Sequence, residues 1–278
     1  MRMMAGVAAS VLLSACVMAA PGDGPNLAAP DSLDAGRWSL EADLRLFEGD
    51  NTSSSFQVTY GTSDHSEVAI GFVTFDNVGP DLIAGSLRRS ELDMLAFSYR
   101  LVDGDVDQRG CGFAGQLDLE VPLTWRGTNL DANRTAEAEH SIATFSFPFG
   151  GRPCDRLVLR AQPKLVLFED YIPNSLGGQT EGFGTVLAVT AGGVLELSER
   201  WELFADLTDV WAGDNAICRR TGRPTDRTVW TAGARVEWAQ GDRWLEAYLT
   251  NGSGLTTATS VLAAPDDEAL SLRGGISF

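Results

Sequence analysis

From Trp38 to the C-terminus the chain repeats one pattern: segments of about ten residues in which every second residue is apolar. Trp38, Leu40, Ala42, Leu44 and Leu46 alternate with Ser39, Glu41, Asp43 and Arg45. Leu117, Leu119, Val121, Leu123 and Trp125 alternate with Asp118, Glu120, Pro122 and Thr124. Trp201, Leu203, Ala205 and Leu207 alternate with Glu202, Asp206 and Thr208. A period of two puts successive side chains on opposite faces of a strand, so each segment has one apolar and one polar face. Twelve such segments can be traced, and no stretch shows a 3.6-residue period, so the expected fold is all-β.

The connections narrow the fold further. Gaps at 47–55, 75–91, 126–140, 168–182, 211–226 and 251–267 are long, and those at 61–66, 102–111, 150–155, 198–200 and 239–243 are short. Alternation of long with short gathers the long loops at one end and the tight turns, with both chain termini, at the other. Gly61–Ser66 and Ser198–Arg200 have the polar, small-residue composition of hairpin turns. A soluble Greek-key sandwich has no reason to obey that rule. A closed up-and-down antiparallel transmembrane β-barrel does, with short periplasmic turns, longer extracellular loops and an even strand number.

The C-terminal run Leu270-x-Leu272-x-Gly274-x-Ile276-x-Phe278 resembles the terminal signature of bacterial outer-membrane β-barrel proteins. That resemblance, over about residues 37–278, implies a barrel of about 12 strands in the bacterial outer membrane, with both termini periplasmic. It also implies two partners: outer-membrane lipid, and the barrel-assembly machinery that reads the terminal signature. Trp125, Trp201, Trp211, Trp230, Trp238 and Trp244 fall near segment ends, where an aromatic girdle would lie.

The first twenty residues read as an export signal: Arg2, then an apolar stretch without acids, then small residues, then the helix-breaking Pro21-Gly22-Asp23-Gly24-Pro25. Leu13-Ser14-Ala15-Cys16 matches a lipobox in which Cys16 would become a lipidated N-terminus; cleavage near Ala20 is the other possibility. Residues 21–36, rich in Gly, Pro, Ala and Asp, read as a flexible segment ahead of the barrel.

If the apolar residues face lipid, the alternate positions face the lumen. Their acids are Glu41, Asp43, Glu67, Asp118, Glu120, Glu196, Glu202, Asp206, Glu237 and Glu246, and their bases Arg45, Arg100, Arg160, Lys164, Arg235 and Arg273. A base facing lipid at mid-depth would cost roughly 2–4 kcal/mol, so these groups are expected inside, paired across strands. Eight strands give a filled interior and sixteen an open pore, and twelve falls between. The lumen is expected either as a narrow passive channel for small polar or cationic solutes, or as a salt-bridged, mainly structural interior. Lys and Arg number 21 against 38 Asp and Glu, a net charge of -17 that disfavours nucleic acid as a partner.

Cys111 and Cys154 are expected at the tight-turn end in neighbouring hairpins, where an oxidising periplasm favours a disulfide; Cys218 falls in a long loop. Four cysteines leave other pairings open. No Cys/His cluster has metal-ligand spacing, and no cofactor motif is found. The protein is therefore expected not to be an enzyme. Two alternatives stand beside the channel. One is a lipid or lipopolysaccharide hydrolase at the outer rim, resting on His140, although Ser141 points to the opposite strand face and Ile142 holds the same-face position. The other is a secreted or Cys16-tethered soluble β-sandwich.

Overall fold

The computed structural model describes residues 25–27, 33–47, 52–76, 89–103, 111–129, 134–137, 141–173, 179–217, 224–238, 242–264 and 268–278. Twelve long strands form one sheet: β1 (Trp38–Leu46), β2 (Thr52–Ser63), β3 (Ser66–Asp76), β4 (Arg89–Asp103), β5 (Cys111–Asn129), β6 in two pieces (Ile142–Ser146 and Phe149–Cys154), β7 (Leu157–Leu167), β8 (Thr185–Glu196), β9 (Trp201–Ala212), β10 (Val229–Trp238), β11 (Arg243–Thr250) and β12 (Ala269–Ser277). Each pairs antiparallel with its chain neighbour, and β12 pairs back onto β1 with Leu44 opposite Leu272. The sheet is therefore a closed barrel without a free edge, which satisfies every strand's backbone groups internally.

The faces follow the alternation. Phe56, Ile70, Phe97, Leu119, Leu159, Leu207 and Leu270 are exposed on the outside. Asp43, Arg45, Arg100, Asp118, Lys164, Asp206, Arg235 and Arg273 are buried within. An apolar outer wall around a charged interior is the inverse of a soluble β-sandwich, and suits a hydrocarbon surrounding. Trp38, Trp201 and Trp238 stand exposed at the tight-turn end and Trp211 at the other.

Among the strand boundaries that differ from the sequence expectation, two have a clear physical reason. The 47–55 connection shrinks to 47–51, because Thr52–Ser55 extend β2. Thr52 and Ser54 share the outward parity of Phe56 there, so hydroxyls stand at the positions where apolar residues announce the alternation elsewhere. β6 runs on through 150–154 rather than stopping at Phe149. Its ladder is interrupted at Phe147–Pro148, where proline has no N–H to give, but the Pro148 carbonyl still accepts from Ala114 N at 2.7 Å.

The N-terminal segment, expected as a tether, follows the inside of the barrel where it is described. Gly36 N donates to Gly61 O at 2.8 Å and Gly61 N to Arg37 O at 3.0 Å. A Cβ on Gly61 would lie 2.2 Å from Asp34 O, so only glycine lets the segment cross β2 there. Further in, Leu33 N donates to Glu67 Oε2 at 3.0 Å.

The last long loop also turns inward. Residues 251–264 carry no charge in an otherwise acidic chain, and Ala258, Val261 and Leu262 are fully buried. The loop contains a short 3-10 turn, Thr259–Val261, and is held by Asn215, whose Nδ2 donates to Val261 O at 2.7 Å. It packs against Val73, Phe75, Met94, Ile142, Val166, Val186 and Ala188 to form an apolar cluster inside the long-loop end. The interior thus has two zones, apolar near the long loops and charged below.

Candidate functional site: the charged lumen

Five neighbouring strands carry the densest part of the interior. Along one rung, Glu202 of β9 faces Arg235 of β10, Arg235 faces Glu246 of β11, Glu246 faces Arg273 of β12, and Arg273 faces Asp43 of β1. Charge therefore alternates in sign around this arc, so that each group lies between opposite charges. Glu246 Oε1 is 3.6 Å from Arg235 Nη1, and Oε2 is 3.6 Å from Arg273 Nη1. Arg235 Nε also reaches Glu237 at 2.8 Å and Glu202 at 3.9 Å, and Arg273 Nε donates to Glu41 at 2.6 Å.

Two aromatic rings support the arc. Trp244 lies under the Arg235 guanidinium at 4.5 Å and the Arg273 guanidinium at 5.2 Å, measured to the ring centroid. Tyr248 donates its hydroxyl to Asp43 and accepts from Arg45 Nε at 3.3 Å. Arg45 is fully buried and also gives Nη1 to Gly252 O at 3.1 Å, tying β1 to the inward loop. Trp244 is thus a lumen residue, 2% exposed, and not part of an aromatic girdle. Its parity is that of Glu246 and Tyr248, and parity outweighs nearness to a strand end. The side chain of Trp125 lies outside the described residues.

Opposite the arc the wall is lined by smaller groups. Gly71, Ala69, Ala96, Ser98, Ser55 and Gln57 border a cavity of about 100 Å³ that also meets Pro25–Leu27 and Leu255–Thr257. Arg100 pairs with Glu67 at 2.9 Å and donates Nε to Gln116 at 3.1 Å; Gln116 in turn donates to Asp118 at 2.8 Å.

Besides Glu67, which accepts from Leu33 N, two interior carboxylates and one lysine hold the segments that enter the barrel. Glu120 accepts from Thr256 Oγ1 at 2.6 Å and from Ala258 N at 3.0 Å, fixing the inward loop. Asp206 accepts from Asn26 Nδ2 at 3.3 Å, and the same amide donates to Thr231 Oγ1. Lys164, 1% exposed, donates to Asn26 O at 2.6 Å and to Ser260 Oγ at 2.9 Å. One ammonium therefore joins the N-terminal segment to the last loop inside the barrel. Arg160 is partly buried on the lumen side of β7. Glu196, at the tight-turn end of β8, pairs with Arg152 at 2.7 Å.

Cys111 and Cys154 are free and exposed, so the expected disulfide is not formed. The register explains this: Cys111 faces Gly151, leaving Cys154 three residues further along β6, about 10 Å at 3.3 Å per residue and beyond disulfide reach. Cys16, Cys218 and His140 lie outside the described residues; Ile142 is buried in the apolar cluster. Leu270 and Phe278 of the terminal signature are exposed, Leu272 and Gly274 are partly covered, and Ile276 is buried.

Sequence reasoning found the charged lumen positions but missed the two entering segments. The signal for the loop was present in its uncharged composition. For Asn26 there was none, because a Gly/Pro-rich stretch reads alike whether free or threaded.

The sequence matches no protein-family model and no curated protein. Among solved structures the chain is similar to an outer-membrane channel from Pseudomonas putida F1, with a TM-score of 0.56, 14% identity, and coverage of 93% of this chain and 99% of that one. It is also similar to the translocator domain of the autotransporter NalP from Neisseria meningitidis, with a TM-score of 0.50, 15% identity, and coverage of 87% of each chain. At such identity the likeness speaks for the fold: a closed antiparallel barrel of the outer-membrane type.

Proposed function

We propose that this protein is a narrow passive channel of a bacterial outer membrane, passing small polar or cationic solutes when two of its own segments move aside. The observation that carries this reading is Lys164, whose ammonium bridges Asn26 and Ser260 in the interior of a closed barrel. A barrel that served only as a scaffold could fill its lumen from its own walls. Here the filling comes from an N-terminal segment and a loop, neither of which is part of the wall: the first is held by hydrogen bonds and the buried Leu27, the second by hydrogen bonds and an apolar cluster.

The exposed apolar outer face supports a membrane setting, and the export signal expected at 1–20 supports the outer membrane. The first strand and the last, joined by Trp38 N to Phe278 O at 2.9 Å, meet at the tight-turn end, which in this orientation is periplasmic. The exposed Phe278 supports reading the terminal run as a signal for the barrel-assembly machinery. Acids outnumber bases among the lumen groups, which favours cations over anions.

Planar-bilayer recording tests the channel. Full-length protein is expected to give small, intermittent conductance with cation preference, and a variant lacking residues 21–33 a larger, steadier one. Silence from both would leave the structural reading, for which the alternating charge arc is the specific support.

A further inference from the structure

Asn26 is held in the lumen as a ligand would be. Its backbone oxygen receives Lys164 Nζ at 2.6 Å, and its side-chain amide gives hydrogens to Asp206 and Thr231. A cation meets the carbonyl, and a carboxylate with a hydroxyl meets the N–H groups. This is the complement of an asparagine within a peptide, whose main-chain carbonyl and side-chain N–H groups are presented together. All three wall residues are at least nine-tenths buried, and they come from β7, β9 and β10, so the wall and not the segment shapes the site.

The fit to Asn26 is incomplete. Its Oδ1 is buried and has no hydrogen-bond partner, which leaves a desolvated acceptor unmet. Next to it, the 100 Å³ cavity borders Pro25, Asn26 and Leu27 and offers room for flanking groups. Among the described residues of the segment, the neighbouring Leu27 is buried and adds apolar contact, but no covalent bond holds the segment at this point. An occupant with unmet polarity beside open space is exchangeable.

We infer that the Lys164–Asp206–Thr231 position is a binding site for short asparagine-containing peptides, which the chain's own N-terminal segment fills in their absence. The inference rests on the channel reading, because a solute must reach the lumen, and it names the class of solute.

Hydrogen exchange on the full chain in detergent, read by mass spectrometry, tests it. The probe is the blocked tripeptide acetyl-Ala-Asn-Ala-amide, with a synthetic peptide of residues 21–33 as the second arm. At saturating tripeptide the amides of residues 25–36 are expected to exchange about tenfold faster, as the segment is displaced, while the strands keep their protection. The Lys164→Met variant, with strand protection intact, is expected to show no response to tripeptide. Fluorescence anisotropy of labelled tripeptide gives binding independently: saturable on the native chain, weakened at least about tenfold by Asp206→Asn.

Unchanged exchange at saturating tripeptide would overturn the inference. So would binding that Lys164→Met and Asp206→Asn leave intact, or a response to the 21–33 peptide alone, which would make the site a lock for the chain's own sequence. Tripeptide binding with no bilayer conductance would uphold the site and remove the channel. Conductance with no binding would do the reverse.

Discussion

Lys164 and Asn26, 138 residues apart in sequence, meet in the interior, with the lysine Nζ 2.6 Å from the asparagine backbone oxygen. The same Nζ reaches Ser260 from the other side. Two segments entering from opposite ends of the barrel are therefore bridged by a single charge, and the consequences of removing it can be measured.

Lys164→Met keeps the length of the side chain and removes the three donors. Asn26 O and Ser260 Oγ lose their bridge, and the carboxylates of Asp206, Asp118 and Glu120 lose the cation they face. Stability is expected to fall by about 3 kcal/mol, as for a buried charge stripped of its partner. Bilayer conductance is expected to rise severalfold. Urea unfolding followed by heat-modifiable gel mobility reads the first, and single-channel recording the second.

Glu246→Gln preserves shape but leaves the Arg235 and Arg273 guanidinium groups facing each other across Trp244. Arg235 retains Glu237 and Arg273 retains Glu41, so the cost is expected near 2 kcal/mol, below the ~3–5 kcal/mol of an isolated buried pair. The tryptophan emission is expected to shift as the stack loosens. Equal unfolding midpoints for variant and native chain would count against the arc as a stabilising unit.

Gly61→Val places a side chain where Asp34 O now lies, at 2.2 Å from the Cβ position. The N-terminal segment is expected to lift from β2 while the barrel stays closed. Limited trypsin digestion should cleave after Arg37 severalfold faster than in the native protein, with unchanged heat-modifiable mobility. Protection equal to native would mean the segment is held without the Gly61 crossing.

Leu207→Arg puts a charge on the outer wall in the middle of β9, where Leu207 is exposed to the bilayer. Destabilisation of roughly 2–4 kcal/mol is expected there, against about 0–1 kcal/mol for Leu195→Arg near the strand end of β8. Guanidinium unfolding of barrels folded into vesicles compares the two. Equal costs would contradict the placement of the apolar band.

The sequence by itself determined the barrel. A period-two pattern names the face of each residue locally, which is why Asp43, Arg100, Asp118, Arg235 and Arg273 could be assigned to the lumen before any contact was known. The same local rule would have placed Trp244 inside, had nearness to a strand end not been given more weight. Tertiary structure alone decided what fills the lumen and which cysteines can meet. Asn26, Ser260 and Lys164 lie on a terminus, a loop and a strand with no common period, and only closure of the sheet brings them together. Cys111 and Cys154 are separated by a register that includes the interruption at Pro148. Face is a property of one strand's pleat; occupancy of the interior is set by how a closed wall and the chain outside it compete for the same desolvated charges.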